Sequence, residues 1–297
     1  MKNKKKMCTG EKVFQGSMLI LFTLLFIGCF YPFWYIFIVS VSDAAAVQKT
    51  TVSLWPIQFT LNNYKQVFEL NGIWHSFFVS VARTVAGTVV TVFFTSILAY
   101  TLTKEELILR KFFYRFAVVS MYINAGLIPW YLTMRSLGLK DSFLVYILPT
   151  AVSAYSLVLI KTYMESISTA LEESAMLDGA GYLTIYLKII MPVAVPILAA
   201  VIVFTAVGQW NQWYDNLLLV NDNNLKTLQY TLLEYLRQAT NIANEAKSGN
   251  MIGAAAAITP FTLRMTITMV VTLPIIIIYP AMQKYFIQGI MVGAVKG

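Results

Sequence analysis

Charge is what this 297-residue chain has least of: Asp, Glu, Lys and Arg make up 12% of it, against 58% hydrophobic and 14% aromatic residues. Soluble globular domains carry about 25% charged residues, and a mean hydropathy of +0.67 moves the chain out of that class. Its uncharged stretches reach the roughly 20 residues that a helix needs to cross a bilayer. We therefore read it as an integral membrane protein. Cysteine is nearly missing as well. Cys8 and Cys29 are the two present; neither has neighbours to complete a disulfide framework or a metal cluster, and both read as plain thiols. Cys8 also lacks the preceding apolar stretch of a lipoprotein cysteine.

Histidine occurs once, as His75, so a His-Glu-x-x-His zinc motif is impossible. Beside Trp74 it reads as an interfacial residue rather than a base or ligand. Tyr214 and Asp215 form a Tyr-Asp pair, but no Gly-x-Gly-Asp accompanies it, which removes a signature expected of an intramembrane hydrolase. The phosphate-cradling Gly-x-x-x-x-Gly-Lys-Ser/Thr loop is missing too, so any energy comes from elsewhere. A proton- or sodium-driven carrier would place Asp or Glu inside its spans, and the apolar runs have none. What remains is a non-catalytic membrane subunit without a metal site; an ion-coupled secondary carrier and an intramembrane hydrolase are the alternatives.

Uncharged runs are what the chain does have: 13–42, 84–103, 116–134, 142–160, 189–214 and 265–283, each at least 19 residues long. They predict an all-α, polytopic fold with six membrane helices. The first run is too long for a signal-peptide core and no convincing cleavage site follows it, so it reads as a retained helix. An even count puts both termini on one side. Lys2, Lys4, Lys5, Lys6 and Lys12 mark that side as the cytoplasm, and they account for much of the +8 net charge, so nucleic acid is not an expected partner. Thirteen of the 22 Lys and Arg residues fall in inner segments and eight in outer ones. Trp34, Trp55, Trp74, Trp130, Trp210 and Trp213 mostly lie near outer helix ends, as an interfacial belt would. The expected organisation is a cytoplasmic tail 1–17, a membrane domain 18–288 and a cytoplasmic tail 289–297. Within the membrane domain lie a cytoplasmic loop 161–191 and a large outer segment 215–260, the best place for contact with something outside the membrane. Arg83 is expected at the outer boundary of the second span, snorkelling to water. Prolines at 129, 149, 192, 196, 274 and 280 interrupt or end the runs.

One polar stretch separates two apolar runs: LEESAMLDGAGYLTIYLKIIMP, residues 171–192. Thr169 followed by Glu172 fits a capping box opening a helix at Ala170. Gly179 suits the left-handed conformation that closes one. About nine residues of helix fall short of the roughly 12–15 needed for marginal stability alone, so something else must hold it. Ile167, Ala170, Leu171, Ser174 and Leu177 recur at helical spacing, leaving Glu172, Glu173 and Asp178 for a basic surface. A second short amphipathic helix, about 182–190, is expected to stop at Pro192. These local signals fit a docking lever on the cytoplasmic face and, equally, an ordinary capped, solvated loop.

The same stretch resembles the cytoplasmic-loop signature of binding-protein-dependent ABC importer permeases: Glu-Ala-Ala, three residues, Gly, nine residues, Ile-x-Leu-Pro. Here it reads Glu173, Ser174, Ala175, Gly179, Ile189, Met191, Pro192. The spacing is kept, with Ser for the first Ala and Met for Leu. The ending QKYFIQGIMVGAVKG (283–297) is similar to the C-terminal tail of carbohydrate permeases of the maltose-permease type, and QWNQW (209–213) to their fifth-span motif. This resemblance covers nearly the whole chain. It implies the type I importer permease fold, and a loop helix seated in a cleft of a cytoplasmic nucleotide-binding subunit. Glu172, Glu173, Ser174, Ala175, Asp178, Gly179, Ile189 and Pro192 would couple to that ATPase. Gly289, Gly293 and Lys296 would reach the ATPase interface. Implied partners are two ATPase subunits carrying ATP and Mg, a second permease making a heterodimer, and an extracellular solute-binding protein. The chain itself binds no cofactor, sits in the bacterial inner membrane, and imports a carbohydrate, with an oligosaccharide favoured by analogy. Rings stack on sugar faces and amides bond hydroxyls, so Asn124, Tyr155, Trp210, Asn211 and Trp213 are pathway candidates; interfacial and packing roles fit the same residues.

Overall fold

The computed structural model describes residues 9–50, 54–123, 125–247 and 260–294. Among them there are helices and no strand beyond one isolated bridge between Ser42 and Phe59. The chain divides into two compact units, 1–70 with 235–272, and 71–234 with 273–297.

The first unit holds α1 (Thr9–Ser40), α2 (Ala44–Lys49) and α3 (Asn62–Phe68). From Val13 to Phe33 the large apolar side chains of α1, half-buried Met18 apart, are exposed, as suits a helix whose surroundings are hydrocarbon. Its hydroxyls bond their own backbone, Ser17 to the Phe14 carbonyl and Thr23 to that of Leu19. At its end Ile38 and Val39 pack with Val47, Ile57 and Met265, while Asn63 donates to the carbonyls of Ser40 and Ser42.

The second unit is organised around α4 (Ile73–Thr101), 29 residues long. Among its buried positions Ser76, Ser80, Gly87, Thr88, Thr91, Thr95, Ser96 and Ala99 are small and recur along one side, with Arg83 between them and Ile73, Val92 and Tyr100 the other larger ones. A stripe of small side chains lets neighbouring backbones come close in a bilayer, where apolar surface alone gives helices no reason to associate. At Gly87 an added Cβ would lie 2.6 Å from the Gln209 amide. The helices against this stripe are α7 (Ala154–Met164) and α11 (Val195–Asn211). The remaining helices are α5 (Arg110–Ser120), α6 (Leu127–Ser136), α8 (Thr169–Leu177), α9 (Tyr182–Ile185), α10 (Met191–Val193), α12 (Tyr214–Leu219), α13 (Leu228–Lys247) and α14 (Pro260–Ala294). The boundary between the units falls within α13 and α14.

Among the described residues three helical segments are long and apolar enough to cross a membrane, Gly10–Ser40, Ile73–Thr101 and Pro260–Ile278, and up to five if two bent pairs each make one span. The expected third run, 116–134, is instead two short helices, α5 and α6. Gly126 between them sits at φ +83°, and Pro129 lies in the first turn of α6, where its missing N–H is tolerated. The fourth run bends by 46° between Phe143–Thr150 and Ala154–Met164. The fifth bends by 82° at Ala194. Its first half passes Pro192, the expected stop, and ends at Val193, because Pro196 removes the N–H that would bond the Pro192 carbonyl and carry the helix straight on.

Two clusters occupy opposite ends of α4. Tyr100 and Leu102 pack with Leu157, Ile160, Ala175, Tyr186 and Ile190. Val79 near the other end packs with Leu139, Tyr146, Leu219 and Val220. Segments expected on one face of the membrane are thus grouped together, 102–110 with 161–190, and those expected on the other, 75–80 with 139–146 and 219–228.

Candidate functional site

Helix α8 is nine residues long and begins at Thr169 rather than Ala170. Ser168 occupies the cap without a side-chain bond, so the expected capping box does not form: Glu172 has turned away to pair with Lys104. The close is as expected. Gly179 adopts φ +81°, its N–H bonds the Met176 carbonyl at 3.0 Å, and the Ala180 N–H bonds that of Ala175 at 2.9 Å. This double bond around a left-handed glycine is the Schellman motif, which satisfies carbonyls the helix end would otherwise leave bare.

Ala175 is the one residue of α8 that is buried. Leu171, Glu173, Ser174, Asp178 and Gly179 are exposed, and Leu177 is 89% exposed. The apolar and small stripe is thus exposed at Ala170, Leu171, Ser174 and Leu177, and Glu172 is withdrawn from the acidic face, which keeps Glu173 and Asp178. Beyond the glycine turn come α9, a π-helical turn Tyr186–Ile190 and α10. Ile185, Tyr186 and Ile190 anchor this segment in the core, with Ile189 packed against it and Pro192 exposed.

At the opposite end of α4 the geometry is electrostatic. Arg83 is 1% exposed, so it does not snorkel. Its Nη2 lies 2.5 Å from Asp215 Oδ2 and its Nη1 3.1 Å from Oδ1, a two-pronged pair that matches the guanidinium fork to the carboxylate. Nη1 also donates to the Gln212 carbonyl and Nε to Gln209 Oε1, and the guanidinium sits 4.5 Å from the centre of the Tyr146 ring. The charge was expected at a wet boundary. It lies inside because a partner 132 residues away supplies the opposite sign. Asp215 and Asn216, expected to open an outer polar segment, are 5% and 0% exposed. Asn216 donates to Tyr146 Oη, and that hydroxyl donates to the Leu225 carbonyl. Ser80 accepts from the Leu228 N–H, Ser76 bonds Thr231, and His75 Nε2 is 2.7 Å from the Asn224 carbonyl. Residues 214–231 are thereby sewn to α4.

Beside this network opens a cavity of about 520 Å³ whose lining includes Arg83, Thr150, Ser153, Tyr155, Gln209 and Gln212. Gln209 spans it, accepting from Arg83 and donating to Thr150 Oγ1 at 2.7 Å. Of the four pathway candidates among the described residues, Tyr155 alone lines this cavity. Trp210 is buried edge-on against Phe77 and lines a separate apolar groove with Pro274. Asn211 is exposed and faces Gln229 at 3.4 Å, and Trp213 stacks edge-on with Tyr214. Asn124 and Lys296 lie outside the described residues; Gly289 and Gly293 fall within α14. Sequence reasoning placed Arg83 at a wet boundary and named neither Gln209 nor Gln212, although both glutamines belong to the QWNQW motif.

No family model matches the chain. Curated relatives do. The polygalacturonan/rhamnogalacturonan transport system permease YtcP of Bacillus subtilis (strain 168) is 34% identical over 283 residues, covering 95% of this chain and 96% of the relative. The protein LplC of the same organism is 35% identical, covering 90% and 89%. The melibiose/raffinose/stachyose import permease MelC is 25% identical over 90% of this chain. Among solved structures, a bacterial ABC transporter involved in import of the acidic polysaccharide alginate matches with a TM-score of 0.83 at 29% identity, over 95% of this chain and all of that one. The chain belongs to the permeases of ABC carbohydrate importers. It is a non-catalytic, all-helical integral membrane subunit, and the carrier and hydrolase alternatives fall away.

Proposed function

We propose that this permease forms half of a translocation pathway for an oligosaccharide and takes its drive from a separate ATPase through α8. The observation carrying this is the build of α8, a nine-residue helix closed at Gly179 whose outward face leaves Leu177, Glu173 and Asp178 exposed among the described residues. In this reading Glu173 pairs with a basic residue of a cytoplasmic nucleotide-binding subunit, Ala175 allows close approach, and ATP with Mg stays on that subunit. Two such subunits, a second and non-identical permease, and an extracellular binding protein complete the importer. Both termini lie in the cytoplasm of the bacterial inner membrane, and α5 with α6 supplies the third of six crossings. The cavity bounded by Tyr155, Gln209 and Gln212 lies on the sugar's path. The names of YtcP and MelC, which specify polymeric or oligomeric sugars, support an oligosaccharide over a monosaccharide. Glu173→Lys should leave the protein in the membrane and abolish sugar uptake while ATP hydrolysis continues; uptake equal to wild type would refute the docking role.

A further inference from the structure

Two ion pairs tie the docking loop to a part of the chain remote in sequence. Glu172, in the first turn of α8, meets Lys104, three residues past the end of α4, with side chains 20% and 16% exposed. The Lys104 ammonium lies 4.1 Å from the centre of the Tyr100 ring and 5.9 Å from that of Tyr182, so aromatic faces from both sides of the contact hold it. The second contact sits seven residues earlier, just before α8. Glu165, the cap of α7, accepts from Arg110 Nη2 at 2.9 Å and from Lys161 Nζ at 2.6 Å. Arg110 is fixed in turn, since its Nε donates to the Leu102 carbonyl at 2.8 Å, and Lys161 lies over the Tyr114 ring at 4.4 Å. The connection 102–110 therefore grips the loop before α8 and within its first turn.

We infer that Lys104 and Glu172, backed by Arg110 and Glu165, are positioning residues that carry displacement of α8 directly into α4. A helix of nine residues joined to the bundle by a glycine turn would otherwise pivot on its own ends and lose the motion. Ala175 is the one buried residue of α8, with Ile167 before the helix and Ala180 after it packed against the same core; these small apolar contacts leave the directional hold to the ion pairs. This assigns Glu172 a role inside the chain, in contrast to its neighbour Glu173. The inference rests on the proposed docking of an ATPase on α8.

The test uses the full importer reconstituted in proteoliposomes and reads sugar molecules taken up per ATP hydrolysed, normalised to assembled complex. Lys104→Glu and Glu172→Lys singly should each lower that ratio at least fivefold, because hydrolysis proceeds while displacement slips, and the double exchange should restore it to within twofold. Lys104→Arg should keep it. Unchanged ratios in the single variants overturn the inference, and so does a double exchange that regains assembly but not the ratio. Ser174→Cys, exposed on α8 and crosslinked to the ATPase, separates the two readings. Without a crosslink the docking itself fails; with a crosslink and normal ratios, only the inferred role of Lys104 and Glu172 fails.

Discussion

At the scale of single residues, the buried Arg83 and Asp215 pair is the most consequential feature, with side chains 2% and 7% exposed. Removing one member of such a pair leaves the other charge without compensation, at a cost of about 3–5 kcal/mol. Asp215→Asn changes charge with little change of shape, so its effect isolates that term. We expect a clearly lowered melting temperature for the detergent-solubilised variant; melting within a degree of wild type would show that the carboxylate charge contributes nothing. The same residues mark where the sequence stops being legible. An arginine just before one apolar run and an aspartate just after another give no sign of each other across 132 positions. Each alone reads as an interfacial charge. Glu172 repeats the lesson on a shorter scale: Thr169 and Glu172 have the spacing of a capping box, but Lys104, placed by the fold, offers the carboxylate a full opposite charge in place of a backbone N–H.

At the scale of elements, helix identity and the glycine close of α8 follow from sequence, since both are set within a few residues. The bends do not, because a proline in an apolar run permits a kink without fixing its angle. Neighbours decide whether α11 leaves α10 by a few degrees or by 82°. Loop pairing is equally hidden. Asp141, itself at φ +52°, accepts from the N–H groups of Asn221 at 2.5 Å and Asp222 at 3.1 Å, and its own N–H bonds the Leu219 carbonyl. The Asn221 bond first, and the Asp222 bond after it, hold the Asp141 carboxyl below the ordinary aspartate range. A carboxyl depressed in the folded protein stabilises fully above its unfolded pKa, and that contribution is lost as pH falls through the folded value. Asparagine also tolerates a left-handed backbone, so Asp141→Asn should melt below wild type at neutral pH, with the gap closing under acidic conditions. A gap independent of pH would assign the effect to geometry rather than to charge.

At the scale of the whole molecule, membership of the carbohydrate permeases was readable from the spacing around Glu173, Gly179 and Pro192, which a one-residue insertion would have destroyed. The cavity beside Arg83 was not, being assembled from three separate stretches. α14 runs as helix to Ala294 and includes Gly289 and Gly293, two of the residues that the family resemblance assigns to the ATPase interface. Deleting 289–297 should weaken ATPase co-purification by one charge-assisted contact or more, about 1.5–3 kcal/mol each; undiminished recovery of the ATPase would exclude the tail from that interface. Finally, Lys104 and Arg83 stand 21 residues apart on one almost continuous piece of helix, roughly 32 Å at 1.5 Å per residue. A single strut thus joins the place where sugar would be sensed to the place where nucleotide would be felt. Because linkage between two binding sites is reciprocal, such a strut transmits in both directions: whatever force the motor applies to open the path, a passenger in the path returns as a bias on the motor.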